Sequence, residues 1–353
     1  MRLDNVFLRP LALLVCASLA ACGGTAPTQP AATAQATPTT TTAGAPAGGP
    51  IKVGIALGGG AAKGFAHIGV IKMLEANGYA PAVVSGTSAG AVVGALYASG
   101  MNAFDMQEKA VALDEAKIRD LQLSSGGLVL GQKLEDYVNE QVGRKPLEQM
   151  AKPFVVVSTR LEDGERTVFA RGNTGQAVRA SSSVPGVFQP VTIGKYHFVD
   201  GGIVSPVPVD AARQLGADIV IAVDISNKAR GQTPGNMLGA LNQSIAIMGQ
   251  KLGEAELARA DVIVRPKVLD IGPADFSQRA SAIVEGEKAA LAVMPQIRER
   301  IAQLRAERAR AAQLAQQKVQ DAEYKACLEK RSSLQRLAGM AGMGEGCPLP
   351  TAR

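Results

Sequence analysis

Gly86-Thr87-Ser88-Ala89-Gly90 stands between the strand-forming run Ala82-Val83-Val84-Ser85 and the small-residue helical run Ala91-Val92-Val93-Gly94-Ala95-Leu96. Glycines two before and two after a serine allow a sharp strand-to-helix turn, which exposes the hydroxyl and aims the N-terminal amides of the next helix toward it. The arrangement reads as a nucleophile elbow, with Ser88 as the nucleophile and Gly86 and Gly90 as its hinges. Taken by itself the pattern also fits an ordinary turn, so its weight comes from two companions.

The first companion is Gly58-Gly59-Gly60-Ala61-Ala62-Lys63-Gly64, directly after the apolar strand Ile51–Leu57 and before the helical stretch Phe65–Ala76. Inward-turned amides beside a helix N-terminus suit an anion, either a phosphate or the oxyanion of an acyl-transfer intermediate. The loop does not match the usual phosphate fingerprints. A dinucleotide fold wants glycine where Lys63 stands, and a Walker loop wants Ser or Thr where Gly64 stands.

The second companion is Asp200-Gly201-Gly202, which ends the strand-forming run Tyr196-His197-Phe198-Val199. Asp-Gly-Gly is also a common turn. A serine hydroxyl, however, needs a neighbouring proton acceptor before it attacks. The chain has two histidines, His67 on a helix face and His197 inside a strand, and both positions fit structural roles. A Ser88–Asp200 dyad is the economical reading.

These residues resemble the patatin-like phospholipases, whose members pair a G-x-S-x-G serine with the aspartate of D-G-G or D-G-A and stabilise the oxyanion on a glycine-rich loop. The resemblance runs from about Ile51 to Pro295 and takes in Ala180–Val191 and Pro206–Asp210. It implies an α/β fold, a three-layer sandwich with a mostly parallel central sheet flanked by helices. It also implies Ser88 as nucleophile, Asp200 as base, and the amides of Gly58, Gly59, Gly60 and Ala61, with that of Ala89, as oxyanion donors. Gly86, Gly90, Gly201, Gly202, Lys63 and Gly64 complete the motifs. Lys63 stands where many relatives carry arginine, and Ser205 where many carry asparagine, so the supporting hydrogen bonds are expected to differ. The implied activity is hydrolysis of a phospholipid or lysophospholipid ester without metal or organic cofactor. Since an aspartate titrates near pKa ~4, Asp200 must be partly desolvated and held against Ser88 to serve as a base. A non-catalytic lipid- or partner-binding lipoprotein on the same scaffold, and a nucleotide-binding protein, are the alternatives. Nucleic acid is not an expected partner, and oligomeric state is open.

Arg2 and Arg9 flank the apolar stretch Leu11–Ala20, too short for a permanent membrane span and typical of a signal peptide. It ends in Leu19-Ala20-Ala21-Cys22, which resembles the bacterial lipobox. The expectation is a signal peptide over 1–21, a lipidated Cys22 as membrane anchor, and a cell-envelope location, most naturally the outer membrane because Gly23 and not aspartate follows. From Gly23 to Pro50 the chain uses only Ala, Thr, Pro, Gly and Gln, so 22–50 reads as a disordered tether. As a coil it would hold the following domain on the order of 30 Å from its anchor.

The catalytic domain is expected over 51–295. Pro153–Val157, Ile219–Val223 and Asp261–Val264 are short β-branched runs fit for a sheet buried on both faces. Leu121–Leu130 is apolar but broken by Gly126 and Gly127, and reads as a lipid-facing rim or a buried connecting loop. Beyond Pro295 glycine vanishes until Gly339, and Arg298–Arg336 carries ten Lys or Arg against five Asp or Glu. This marks 296–353 as a basic helical C-terminal extension. Cys327 and Cys347 are expected to pair in an oxidising compartment.

Overall fold

The computed structural model describes residues 49–117, 120–124, 127–226, 235, 237–338 and 347. The expected signal segment, Cys22 and nearly all of the expected tether lie outside these residues.

Strand β1 (Val53–Leu57) is buried at every position, the mark of a strand covered on both faces. Val53, Ile55 and Leu57 enter one core cluster and Ala56 another, as the two-residue strand period requires. A 3-10 turn (Ala61–Phe65) leads into α1 (Ala66–Ala76), then β2 (Val83–Thr87) and α2 (Ala89–Ala98). Helix α3 (Ala103–Val111) starts at Asn102, whose side chain accepts the Phe104 and Asp105 amides. The chain continues through β3 (Leu121–Ser124), β4 (Gly127–Val129), α4 (Gln132–Gln141), β5 (Phe154–Arg160), β6 (Arg166–Phe169) and α5 (Thr174–Ser181). It ends with β7 (Val191–Ile193), β8 (Tyr196–Asp200), α6 (Val209–Gln214), β9 (Ile219–Val223), α7 (Met237–Leu257), β10 (Val262–Val264) and α8 (Arg279–Ala338).

The main sheet follows the order β10-β9-β1-β2-β5-β8-β7, with β6 also on β5. From β10 to β5 every pairing is parallel, while β6, β7 and β8 are antiparallel additions. Side chains of α1, α2 and α8 join the larger core on one face, and those of α6 and the end of α7 join the core on the other. The molecule is thus a mixed α/β sandwich of three layers, in accord with the sequence.

The register around β5 brings two distant segments together. Both β2 and β6 pair with Val156 and Val157, so they occupy opposite edges of β5. Both β6 and β8 pair with Ser158 and Thr159, so β8 lies on the edge that β2 has just vacated. The last β2 residue, Thr87, faces Val157, and the last β8 residue, Asp200, faces Ser158. Two strands running toward each other therefore end at one point.

The structure revises two expectations. Within the apolar segment at 121–130, expected as a lipid-facing rim or a connecting loop, β3 and β4 pair as an antiparallel ribbon whose Val129 exchanges backbone hydrogen bonds with Val187 and Gln189. No element boundary falls at Pro295, because α8 runs through it unbroken. Pro295 sits on the exposed face, and the buried stripe Ala282, Ile283, Ala290, Met294, Ile297, Ile301 continues past it. Helices α1 and α8 meet backbone to backbone. A side-chain carbon placed on Gly286 would lie 2.0 Å from the Ala66 carbonyl, and one on Gly69 would lie 2.0 Å from that of Ile283. Cys327 and Cys347 form a disulfide with 5.9 Å between their Cα atoms.

Candidate active site

Ser88 occupies φ 55°, ψ −123°, a conformation that costs about 1–3 kcal/mol and persists where its surroundings enforce it. The enforcement is visible. A side-chain carbon on Gly90 would lie 2.1 Å from the Leu57 carbonyl, so only glycine lets the start of α2 approach β1 this closely. The Ser88 amide donates to Ser181 Oγ at 2.8 Å, and that hydroxyl donates in turn to the Val157 carbonyl. The carbonyl lies where β2 leaves the edge of β5, so α5 closes the gap and fixes the elbow at once.

Asp200 is held by its backbone on both sides. Its amide donates to the Ser183 carbonyl at 2.9 Å, and its carbonyl accepts Thr159 Oγ1 at 2.8 Å. The next residue must be small, since a side-chain carbon on Gly201 would lie 2.2 Å from the Val157 carbonyl. Asp200 Oδ1 accepts the Gly202 amide at 2.7 Å. Oδ2 is buried and completes no hydrogen bond, yet the Ser88 hydroxyl lies near enough to act on the carboxylate's titration. Burial pushes the Asp200 carboxyl up to about 6, against the opposing effects of the Ser88 hydroxyl and the Gly202 amide. Ser88 and Asp200 keep 8% and 7% of their surface exposed.

The glycine loop passes directly beside the nucleophile, where a side-chain carbon on Gly59 would lie 3.3 Å from Ser88 Cβ. Its amides are not equivalent. The Gly58 amide donates to the Val223 carbonyl at 3.1 Å and the Gly59 amide to the Pro206 carbonyl at 3.0 Å. Each N–H has one proton to give, so these two are removed from the expected oxyanion donors and are structural. Gly60 and Ala61 make no such backbone bond among the described residues, and Ala61 adopts φ 53° at the head of the 3-10 turn. Of the expected donors, the amides of Gly60, Ala61 and, at the start of α2, Ala89 remain. With two of its amides committed to carbonyls, the loop is also a poor phosphate cradle.

His67 serves this loop from beneath. Its Nε2 lies 2.8 Å from the Gly58 carbonyl. Burial lowers its pKa to about 4, with the Gly58 bond and Asp224 opposing, so the ring is neutral and Nε2–H is the donor. Lys63 is fully buried within the 3-10 turn, and Gly64 packs against Ala89. His197 pairs on the surface with Glu162 at 2.8 Å, away from the dyad's chemistry.

Two supporting residues carried no assigned role in the sequence. Ser181 belongs to the run Ser181-Ser182-Ser183, a visible signal whose function depends on where α5 lands. Glu256, on α7, has no local signal. It is buried, accepts Ser205 Oγ on one oxygen and the Val207 amide at 2.8 Å on the other. Burial pushes its carboxyl up to about 7, opposed chiefly by Ser205 and Val207. The gripped segment is a hub: the Ser205 carbonyl accepts Thr87 Oγ1 at 2.8 Å, and the Pro206 carbonyl holds Gly59. Serine at 205 thus bonds to an acid on α7 and leaves its carbonyl for the nucleophile strand.

A cavity of about 320 Å³ lies at the ends of β9 and β10, lined by Asp224, Ile225, Ser226, Arg265 and Lys267 among others. Neither Ser88 nor Asp200 lines it.

The sequence profile described as patatin-like phospholipase matches residues 55–213, a span holding the elbow, the glycine loop and Asp200. An uncharacterized NTE family protein of Mycobacterium tuberculosis is 36% identical over 182 residues, 51% of this chain and 51% of that protein. Lysophospholipase NTE1 of Pyricularia oryzae is 26% identical over 279 residues, 70% of this chain and 19% of the fungal protein. The chain spans about half the length, or less, of these curated relatives. Among solved structures, VipD from Legionella pneumophila is similar with a TM-score of 0.48 and 16% identity, over 69% of this chain and 66% of VipD.

Proposed function

Residues 55–213 form a patatin-like phospholipase domain, and on that premise we propose that this chain is a serine acyl hydrolase that cleaves a phospholipid or lysophospholipid ester with a Ser88–Asp200 dyad. The observation that carries the reading is the meeting of β2 and β8 on one edge of β5, which sets the elbow serine against a buried carboxylate. The pKa of about 6 fits the role. Asp200 is charged at neutral pH, yet is a stronger base than an exposed aspartate.

In this reading Asp200 accepts the Ser88 proton while Ser88 Oγ bonds to the ester carbonyl carbon. Charge that develops on the carbonyl oxygen falls to the Gly60, Ala61 and Ala89 amides. The C–O bond to the alcohol breaks, the proton passes from Asp200 to the leaving oxygen, and an acyl-enzyme remains. Water then gives a proton to Asp200 as its oxygen bonds to the acyl carbon; the Ser88 Oγ–acyl bond breaks, Asp200 returns the proton to Ser88 Oγ, and the fatty acid leaves. His67 keeps the loop in shape and exchanges no proton in this cycle.

The test is intact-mass labelling with a fluorophosphonate. One adduct per chain is expected on the parent, none on Ser88→Ala, and strongly slowed labelling on Asp200→Asn. A folded parent that takes no label, with or without detergent, would refute the reading and favour a non-catalytic scaffold. We also propose that Cys22 carries the acyl anchor that holds the domain at the bacterial envelope, most naturally the outer membrane. Metabolic labelling with an alkyne palmitate, lost in Cys22→Ala, is the expected result; label retained in that variant would exclude it.

A further inference from the structure

Gly86, Leu57, Val223 and Val264 form one row across β2, β1, β9 and β10. Thr87, Gly58, Asp224 and Arg265 follow them at the strand ends, and Ser88 comes next after Thr87. After β1 the chain turns to α1 on one face of the sheet, while β9 leads on to α7, whose end packs on the other. Such a divergence opens the crevice in which open α/β sheets take their ligands. The cavity of about 320 Å³ at the ends of β9 and β10 borders it, and both of its walls touch the glycine loop. A side-chain carbon on Gly60 would lie 2.6 Å from the carbonyl of Ile225, which lines the cavity. The Ala62 amide donates at 3.1 Å to the carbonyl of Pro273, on the segment that continues from Lys267 and Asp270.

The charges of the cavity are unequally used. Asp224, with 4% of its side chain exposed, accepts the Ser226 amide at 3.1 Å and the Ser226 hydroxyl at 2.6 Å on Oδ1, and Arg265 Nε at 3.3 Å on Oδ2. Arg265 is thus drawn toward β9 by its Nε edge, and among the described residues its two terminal nitrogens have no partner. Lys267 Nζ, also exposed, has none among them either. Two cations with free donors on one cavity suit a phosphate. The lining sets Arg265 and Lys267 against Asp224 and Asp270 and is neutral as a whole. That balance suits a phosphodiester carrying its own ammonium over a doubly charged monoester. The span fits as well. β9 lies two strands from β2, or about 10 Å at ~4.8 Å per strand. In a glycerophospholipid the phosphorus stands about six covalent bonds, roughly 7 Å, from the ester carbonyl carbon. A hydrogen bond of about 3 Å from the guanidinium supplies the remainder.

We propose that this cavity is a headgroup site, in which Arg265 and Lys267 hold the phosphodiester of a zwitterionic glycerolipid while its ester lies at Ser88. The proposal rests on the hydrolase reading of Ser88 and adds to it the recognition of the alcohol side of the substrate. The glycine loop, whose Gly58 and Gly59 amides are committed to carbonyls, then serves the ester oxygen, and the cavity beyond it serves the phosphate.

The experiment uses the full chain and two soluble esters with the same acyl chain and glycerol, hexanoyl lysophosphatidylethanolamine and monohexanoylglycerol. Lys267→Gln alters a side chain without a partner among the described residues, so folding is not at issue, and R265Q/K267Q removes both cations. The single variant is expected to lose at least fivefold in kcat/KM on the phospholipid and the double variant at least twentyfold, chiefly through KM. Neither should change fluorophosphonate labelling or monohexanoylglycerol hydrolysis by more than about twofold. Unchanged phospholipid kinetics in Lys267→Gln, or both esters falling alike, would overturn the site. The parent should cleave hexanoyl lysophosphatidic acid, a monoester, at least fivefold less efficiently than the phosphodiester; equal efficiency would overturn the zwitterionic assignment. Inorganic phosphate should compete with the phospholipid and leave monohexanoylglycerol turnover unchanged. A change in the latter would assign the cavity to a separate phosphorylated effector and overturn the headgroup. If the parent takes no fluorophosphonate and cleaves neither ester, the hydrolase reading fails. Calorimetry with glycerophosphoethanolamine then decides the cavity by itself: binding that Lys267→Gln weakens at least fivefold keeps it as a phosphodiester site, and absence of binding removes it.

Discussion

Burial has two consequences of opposite sign at Asp200. Its carboxyl titrates near 6 in the folded chain, above its ordinary 3.8, so the folded state holds the proton more tightly. The group therefore contributes stability that is complete below pH ~4 and lost as pH rises through about 6. Under the proposed mechanism activity follows the reverse course, because Asp200 as base must be ionised. Labelling by fluorophosphonate is expected to climb through pH 6 and level off above pH 7, and a flat profile from pH 5 to 8 would contradict Asp200 as the base. Asp200→Asn should lower the rate by about 10²–10⁴ and narrow the difference in melting temperature between pH 5 and pH 8. Some difference should persist, since Glu256 titrates near 7 for the same reason and with the same sign. Ser181 offers a second test. In Ser181→Ala the buried Ser88 amide and Val157 carbonyl both lose a partner, at a cost of about 1–3 kcal/mol. Labelling should slow about tenfold or more, and Ser181→Thr, which keeps the hydroxyl, should recover part of the loss. Equal effects of the two substitutions would argue that only the packing of α5 matters.

At the scale of elements, the site is a product of strand length. β2 stops one residue short of where β8 begins its pairing on β5, and the serine and aspartate are the first residues beyond and at those ends. Close approach of α2 to β1 is the second requirement. Gly90→Ala places a carbon against the Leu57 carbonyl, a backbone atom locked in the sheet. A loss of about 2–3 kcal/mol or more is expected in denaturant unfolding, whereas Val92→Ala, at a half-buried position on the same helix, should cost far less. What the sequence revealed follows the same division. The elbow, the glycine loop, the Asp200 turn and the parallel strands were legible because each is a local pattern of glycine, β-branched and small residues. Which loop amides remain available was not, because the answer lies in carbonyls of Val223 and Pro206, far along the chain. Glu256 was equally hidden, since an acid on a helix looks solvated until Ser205 and Val207 are seen on it. The β3–β4 ribbon was read as a lipid-facing rim or a connecting loop because Gly126 and Gly127 interrupt the apolar run, a break that local pattern cannot tell from a ribbon's turn.

Over the whole molecule, α8 is first a structural spine and only then an extension. Its early part is tied by Lys72–Glu287 at 2.7 Å, its middle by Arg300–Asp261 at 3.0 Å, and farther along Arg308 pairs with Asp218. A chain ended at Pro295 would lose Ile297 and Ile301, both buried, together with the two arginine ties. Burial of two isoleucines is worth about 3–6 kcal/mol, so melting should fall by roughly 10 °C or more. A chain ended at Arg310 keeps them all and should melt with the parent; if it does not, the exposed half of α8 carries more of the stability than its contacts account for. The Cys327–Cys347 bridge lies beyond Arg308, where the helix is largely exposed. Its loop of about 20 residues corresponds to roughly 3 kcal/mol of chain entropy, but that energy acts only on the segment it closes. Reduction is therefore expected to leave the main melting transition within about 1 °C, since the described residues around Cys327 are largely exposed, while trypsin cleavage after Lys318, Lys325 and Arg331 accelerates severalfold. A large drop in the main transition on reduction would mean that the end of α8 is coupled to the sheet, and the spine would then extend to its last turn.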